Sequence, residues 1–77
     1  MFIVVVRHQV KPGMLDKAYA RIDGNGDRMA QVPGFLFRHR MVAKTDPLLI
    51  STVTAWTEET AFEVWQKIKA EIGRAHV

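Results

Sequence analysis

The sequence predicts an α+β domain with the element order β-α-β-β-α, which is a ferredoxin-like unit without its final strand. Three observations support this class. Apolar side chains alternate with period two at 2–10, 35–42 and 48–56, which predicts three strands. Apolar side chains recur every three or four residues in two other segments, which predicts two helices. Proline-glycine pairs at 12–13 and 33–34 mark turns between these segments.

Length and composition indicate one small domain. The chain has 77 residues and no cysteine, which excludes disulfides and thiolate metal sites. A core of this size is marginal alone, so we expect oligomerisation. The net charge of +3 permits acidic partners, but the basic residues are scattered, which disfavours nucleic-acid binding. The N-terminal apolar run, 2–6, is too short to span a bilayer and lacks signal-peptide features, so we expect a cytoplasmic protein without membrane association.

The first predicted strand, 2–10, is apolar on both faces at its start, as in a strand covered on both sides. Pro12 and Gly13 end it. The helical pattern that follows contains Gly24 and Gly26, and each glycine costs about 1 kcal/mol relative to alanine, so we expect a broken or frayed helix there. These glycines would also let a ligand approach the backbone closely. The apolar stripe of this helix comprises Leu15, Ala18, Tyr19, Ile22, Met29 and Val32.

The second and third strands are joined by a polar turn at 43–47, which predicts an antiparallel hairpin. Thr57 is a good N-cap for the second helix, and two glutamates after it place negative charge at the positive helix end. Alternation along the second strand predicts two faces. One face carries Phe35, Phe37, His39 and Met41, and the opposite face carries Leu36, Arg38, Arg40 and Val42. The apolar stripe predicted for the second helix comprises Ala61, Phe62, Trp65 and Ile68.

Three stretches, at 10–13, 33–36 and 55–65, resemble the antibiotic biosynthesis monooxygenase family in sequence and in spacing, and the likeness covers residues 1–70. In sequence letters they are VKPG, PGFL and AWTEETAFEVW. This family contains cofactor-free quinol-type monooxygenases and haem-degrading monooxygenases. The resemblance implies a homodimer in which two sheets pack face to face as an α+β barrel. It also implies a pocket between helices and sheet in each subunit.

The haem-degrading branch of that family has an asparagine on strand one, a tryptophan on helix two, and an iron-ligating histidine just after it. Trp65 matches the tryptophan, Val6 stands in the asparagine's place, and His76 falls one residue late. Residues 72–77 are also what one reading frame of a common sequencing adapter encodes. We therefore expect 71–77 to be a non-native tail that replaces the final strand, and His76 not to serve as a metal ligand.

The pocket implied by the resemblance is lined by Val6, Phe62 and Trp65, with the indole of Trp65 against a planar ligand. Trp56 is expected to be a structural plug between strand and helix. Of the two strand histidines, His39 is favoured over His8 as a proton shuttle because aromatic residues share its face. Trp65 and His39 are accordingly the predicted catalytic residues.

No metal site is predicted. Neither strand histidine has a second ligand at suitable spacing. The acidic run 23–27 imitates the start of a calcium loop, but Arg28 stands where that loop needs glycine and Gly34 stands where it needs glutamate.

The sequence therefore predicts a small monooxygenase that acts on a planar aromatic, quinol-like compound, or on haem as substrate, without a flavin or nicotinamide site. One alternative is a non-catalytic ligand-binding or interaction module on the same barrel, which the lack of a catalytic polar set supports. A third reading is an RNA-binding domain of the same strand order. Such domains expose aromatic residues on strands one and three, whereas strand three of this chain offers only Trp56, and Phe35 and Phe37 lie on strand two.

Overall fold

The computed structural model describes residues 1–75, with side chains described as far as residue 72. The α+β class and the order β-α-β-β-α are confirmed. The elements are β1 (Phe2–Gln9), α1 (Leu15–Met29), β2 (Phe35–Ala43), β3 (Asp46–Trp56) and α2 (Glu59–Ala75).

The three strands form one antiparallel sheet with β3 in the middle, in the order β1-β3-β2. The predicted hairpin of β2 and β3 is confirmed. β1 and β2 run parallel to each other on either side of β3, because α1 carries the chain across the sheet between them. Phe2 pairs with Trp56 and His8 pairs with Ile50, so alternate side chains of β1 and β3 face the helices together.

The helix α1 is continuous through Gly24 and Gly26, so the predicted break is wrong. The amide of Ala30 still donates to the carbonyl of Gly26 at 3.1 Å, which continues the helical ladder past the glycines. Tertiary packing outweighs the propensity cost here. Ile22 is buried against the sheet one turn before Gly26, and Arg38 of β2 occupies the space that a side chain at Gly26 would need.

A β-bulge lies near the start of β2. Phe35 pairs with Trp56 and Phe37 pairs with the very next residue, Ala55, so Leu36 is the extra residue. Phe35 therefore faces the helices, where its ring meets Trp56 edge-on with centroids 5.3 Å apart. The prediction that Phe35 shares a face with Phe37 is wrong, because the bulge shifts the alternation by one position.

Gly34, the residue before β2, is hydrogen-bonded to the segment that leads into α2. Its φ of +95° lies in the left-handed region that favours glycine, and its carbonyl accepts the amide of Thr57 at 2.8 Å. A Cβ at this position would lie 2.7 Å from the Cβ of Ala61. A side chain at Gly34 would therefore disturb the packing of α2 against the sheet.

Both helices pack on one face of the sheet, and the core beneath them has two parts. One contains Trp56 and Trp65, and the other contains Ile22 and Ile50. The opposite face, which we term the outer sheet face, is uncovered in the single chain, although β1 was expected to be covered on both sides. Its exposed apolar residues include Ile3, Val5, Phe37 and Met41.

Candidate functional site

A cavity of about 480 Å³ lies between the helices and the sheet. All five elements contribute to its lining, and the lining joins the two parts of the core, with Ile22 from one and Trp65 from the other. Its volume is in the range that holds a small organic molecule. The gap between the two core clusters is thus a candidate ligand site.

The three residues predicted to line a pocket are brought together. Val6 contributes from β1, and Phe62 and Trp65 contribute from α2. Trp65 is only 2% exposed, so its indole is held by the core while one side remains against the cavity. This rigidity suits a flat wall for a planar ligand. The binding role of the three residues stays a prediction.

The two predicted catalytic residues are not brought together. His39 lies on the outer sheet face beside Phe37, with ring centroids 5.2 Å apart, whereas Trp65 lies under the helices. His8 lines the cavity instead. The preference for His39 relied on its aromatic neighbours, and alternation alone does not reveal which strand face the helices cover. His76 lies outside the described residues.

His8 is set in a positive environment. Burial lowers the pKa of His8, and the charges of Lys69, Arg38 and Arg21 lower it further. The imidazole is therefore neutral at neutral pH, with one nitrogen free to accept a proton. A neutral imidazole beside a cavity is the arrangement that a general base requires.

Arg38 is a cavity residue that the sequence did not reveal. It follows the bulge and reaches under α1, where its Nη2 donates to the carbonyl of Ile22 at 2.7 Å. Its Nε is buried and has no acceptor among the described residues. Burial lowers the pKa of Arg38 against the opposing effect of Asp23. An arginine on a strand of alternating apolar and polar residues usually lies in solvent. Its position in the cavity is therefore evident only from the fold.

Arg40, two residues along β2, has a different environment. Its Nη1 lies 2.7 Å from Oδ1 of Asp23, and its guanidinium lies 4.3 Å from the centroid of the Tyr19 ring. Arg40 is not among the described residues that line the cavity. The two arginines therefore form a matched pair on one strand face, one within the cavity and one outside it.

The middle strand of the sheet contributes two polar side chains to the cavity. Thr52 and Thr54 of β3 are both buried and both line it. Oγ1 of Thr54 accepts the indole N–H of Trp56 at 2.9 Å, which leaves the Thr54 hydroxyl hydrogen available as a donor. Trp56 itself is fully buried, in keeping with a structural plug and not with a base-stacking aromatic residue on β3.

Two further observations concern the described residues only. No three histidine, cysteine, aspartate or glutamate side chains come together there as a metal site. Asp23 of the calcium-like run instead pairs with Arg40. No helix in this part of the chain is long and apolar enough to cross a membrane.

Comparison with known proteins gives one match. The model of a family described as "Antibiotic biosynthesis monooxygenase" matches residues 1–70. Searches of curated proteins and of solved structures give no significant match. The matched range includes β1, α1, β2, β3 and the part of α2 that carries Phe62 and Trp65.

Proposed function

This chain belongs to the antibiotic biosynthesis monooxygenase family, and we propose that it is a small monooxygenase that oxidises a planar, quinol-like aromatic compound. One observation carries the proposal. The cavity between helices and sheet combines the flat side chain of Trp65 with the neutral imidazole of His8. A planar phenol against the indole would therefore meet a proton acceptor in the same cavity.

The proposed reaction needs no reductant other than the substrate. A phenol with a free ring position reacts with O₂ to give a quinone and water. One oxygen atom becomes the new ring carbonyl and the other leaves as water with the ring and hydroxyl hydrogens, while the ring supplies all four electrons. The protein's task is to remove the phenolic proton, exclude water and hold the ring in place.

Each task has a candidate side chain. His8 accepts the phenolic proton and later returns it to the departing oxygen as water forms. Trp65 and Phe62 confine the ring by contact with its plane and edge. Val6 adds an apolar contact from the sheet side. In this scheme the unprotonated state of His8 sets the lower pH limit of activity.

Haem is the second candidate substrate, because Trp65 stands where haem-degrading members of the family have a tryptophan. Among the described residues of the lining, His8 is the histidine that would meet the iron. Haem oxidation, unlike quinol oxidation, draws electrons from a separate reductant. The two substrates are therefore distinguished by whether turnover depends on added reductant.

We also propose that two copies pair through the outer sheet face, as the family resemblance implies. Exposed Val5, Phe37 and Met41 form an apolar surface on this face. A chain of 77 residues has a small core, and covering such a surface would add buried apolar area to it. Pairing would bury His39 at the contact between copies and leave the cavity, on the opposite side of the sheet, open to ligand. A cytoplasmic location remains a prediction from sequence.

Oxygen uptake tests the proposal. We expect consumption of O₂ with appearance of quinone in a one-to-one ratio for a member of a panel of one-, two- and three-ring phenols and quinols. His8→Gln should reduce the rate at least about a hundredfold, as for loss of a general base, whereas His39→Gln should retain it. The reverse pattern would support the catalytic role predicted for His39.

Two other outcomes identify the remaining readings. A shift of the haem Soret band, with turnover only when reductant is added, would assign haem as the substrate. Ligand binding without oxygen uptake from any compound would make the chain a non-catalytic binding module on the same fold.

A further inference from the structure

We infer that the cavity selects ligands that carry an acidic oxygen, as a phenolate or carboxylate, and that the guanidinium of Arg38 provides the positive charge that favours this oxygen. The inference rests on the proposed use of the cavity, and it adds the charge of the ligand and the residue that recognises it. Two independent features of the described residues support it: an unsatisfied donor and a one-sided charge distribution.

The unsatisfied donor is the first feature. A guanidinium offers five N–H groups and no acceptor. In Arg38, Nη2 is satisfied by the carbonyl of Ile22, but Nε is buried without an acceptor among the described residues. Leaving such a donor unpaired is costly, and an anionic oxygen is its strongest partner. The hydrogen-bonding capacity of the Arg38 guanidinium is therefore incompletely used within the described residues.

The charge distribution is the second feature. Among the described residues that line the cavity, Arg38 and Lys69 are cationic, and none is an aspartate or glutamate. The nearby carboxylate of Asp23 is already paired with Arg40 at 2.7 Å. The described lining of the cavity therefore carries net positive charge, which favours an anionic ligand over a neutral one.

The arrangement also suits the proposed chemistry. A cation that binds the phenolate form lowers the pKa of a bound phenol, which helps His8 to remove its proton. Arg38 comes from β2 and His8 from β1, and both line the same cavity, so one side chain can stabilise the product of the proton transfer that the other performs. A neutral ring compound would gain no such charge stabilisation from Arg38.

Paired probes test the inference without requiring turnover. We would measure the affinity of the full chain for 2-naphthoate and for its neutral analogue 2-naphthamide by calorimetry. We expect naphthoate to bind at least about tenfold more tightly, as for a hydrogen bond to a charged group. Arg38→Gln should abolish this preference. Arg7→Gln is the control, because it removes the same charge from an exposed position of β1 outside the cavity, and it should retain the preference.

A spectroscopic arm follows Arg38 directly. In ¹⁵N-labelled protein, the Nε–H resonance of Arg38, assigned by its loss in Arg38→Lys, should shift with naphthoate and stay in place with naphthamide. A phenol arm uses 4-nitrophenol, whose phenolate absorbs visible light. Its titration should move to lower pH in the presence of the protein, and this shift should vanish in Arg38→Gln.

Each outcome decides the inference. Equal binding of the two naphthalene probes would overturn the anion preference while leaving the ligand cavity and the proposed function intact. A preference that survives Arg38→Gln would assign it to other cations and overturn the role of Arg38. If neither probe binds, this inference fails together with the cavity's proposed role, whereas oxygen uptake would still report on catalysis separately. If Arg38→Gln fails to fold, the Nε–H resonance of the unaltered protein decides.

Discussion

The guanidinium of Arg38 occupies the space that a side chain at Gly26 would fill. A Cβ on Gly26 would overlap Nη1 of Arg38 and lie 3.0 Å from its Cζ. The missing side chain on α1 is thus what allows the guanidinium of β2 to lie beneath the helix. Gly24, two residues earlier, has no such neighbour, since its built Cβ meets only Nη1 of Arg28 at 3.9 Å. The two glycines therefore have different roles in spite of their proximity in sequence.

We expect Gly26→Ala to displace the guanidinium of Arg38 without unfolding the protein. The end of a long side chain can move, and alanine favours the helix by up to about 1 kcal/mol. The affinity for 2-naphthoate should fall by about tenfold towards that for 2-naphthamide, as for loss of a hydrogen bond to a charged group. Calorimetry measures the affinity and urea denaturation measures the stability.

Gly24→Ala is the control for this change. It should raise the free energy of unfolding by up to about 1 kcal/mol through helix propensity and leave both affinities unchanged. Equal naphthoate affinities in the two alanine variants would contradict the idea that the room at Gly26 positions Arg38.

The sequence predicted the order of elements because alternation and helical periodicity are local signals. It predicted the wall formed by Phe62 and Trp65 because helical spacing and the family resemblance place both on one side of α2. The bulge at Leu36 has no local signal, since one inserted residue interrupts an alternation that looks regular on both sides. The face on which Phe35 packs therefore had to come from the fold.

Tertiary contacts explain the other differences. Gly26 was interpreted as a helix breaker because propensity describes an isolated helix, whereas its actual neighbour is Arg38, twelve positions away in the chain. The pattern favours His39 over His8, whereas the fold places His8, and not His39, on the strand face that the helices cover. Two alternating faces with similar polarity do not contain that information.

Gly34→Ala should be among the most destabilising single substitutions in the chain. The left-handed backbone costs about 1–2 kcal/mol for a residue with a Cβ, and the added atom would lie 2.7 Å from Ala61 and 2.8 Å from Oγ1 of Thr57. Overpacking of this kind adds about 1–3 kcal/mol. We expect a total loss of about 3 kcal/mol in the free energy of unfolding, measured by urea denaturation.

Gly13→Ala separates the two contributions. Gly13 has a similar φ of +84°, but no atom lies within 4 Å of its built Cβ. It should lose only the backbone contribution, about 1–2 kcal/mol. Equal losses at the two positions would show that the turn at Gly34 moves to relieve the contact with α2.

Val5→Lys should separate the proposed dimer into monomers. Val5 is 59% exposed at the middle of β1, on the outer sheet face. A lysine there would have its charge desolvated by a second copy, which disfavours association. Sedimentation velocity over a concentration series would measure the shift from dimer to monomer.

The control for the dimer uses the same residue type. Val64 is 46% exposed and lies on α2, which packs on the opposite side of the sheet. Val64→Lys should therefore leave the sedimentation coefficient unchanged. An unaltered chain that sediments as a monomer at every concentration would reject the pairing of outer sheet faces.

The stability of the protein should fall on mild acidification because of His8. Its pKa in the folded state lies below the ordinary histidine value of 6.5, so the unfolded chain takes up a proton first as the pH falls. Folding stability is therefore unaffected by this group above pH 6.5 and decreases from there towards the folded pKa. His8→Gln should reduce the difference between the free energies of unfolding at neutral and acid pH. Urea denaturation across this window measures it, and an unchanged pH dependence would contradict the assignment.

Lys69 provides the sharper test, because after burial it is the largest cause of the lowered His8 pKa. Lys69→Gln removes one positive charge from the cavity, so the protonated imidazole becomes less unfavourable and the His8 pKa should rise towards 6.5. Lys67→Gln, an equal change of charge two residues away on an exposed part of α2, should have a much smaller effect. An NMR titration of the His8 ring protons would compare the two variants. Equal shifts would mean that net charge, rather than the position of Lys69 at the cavity, controls the imidazole.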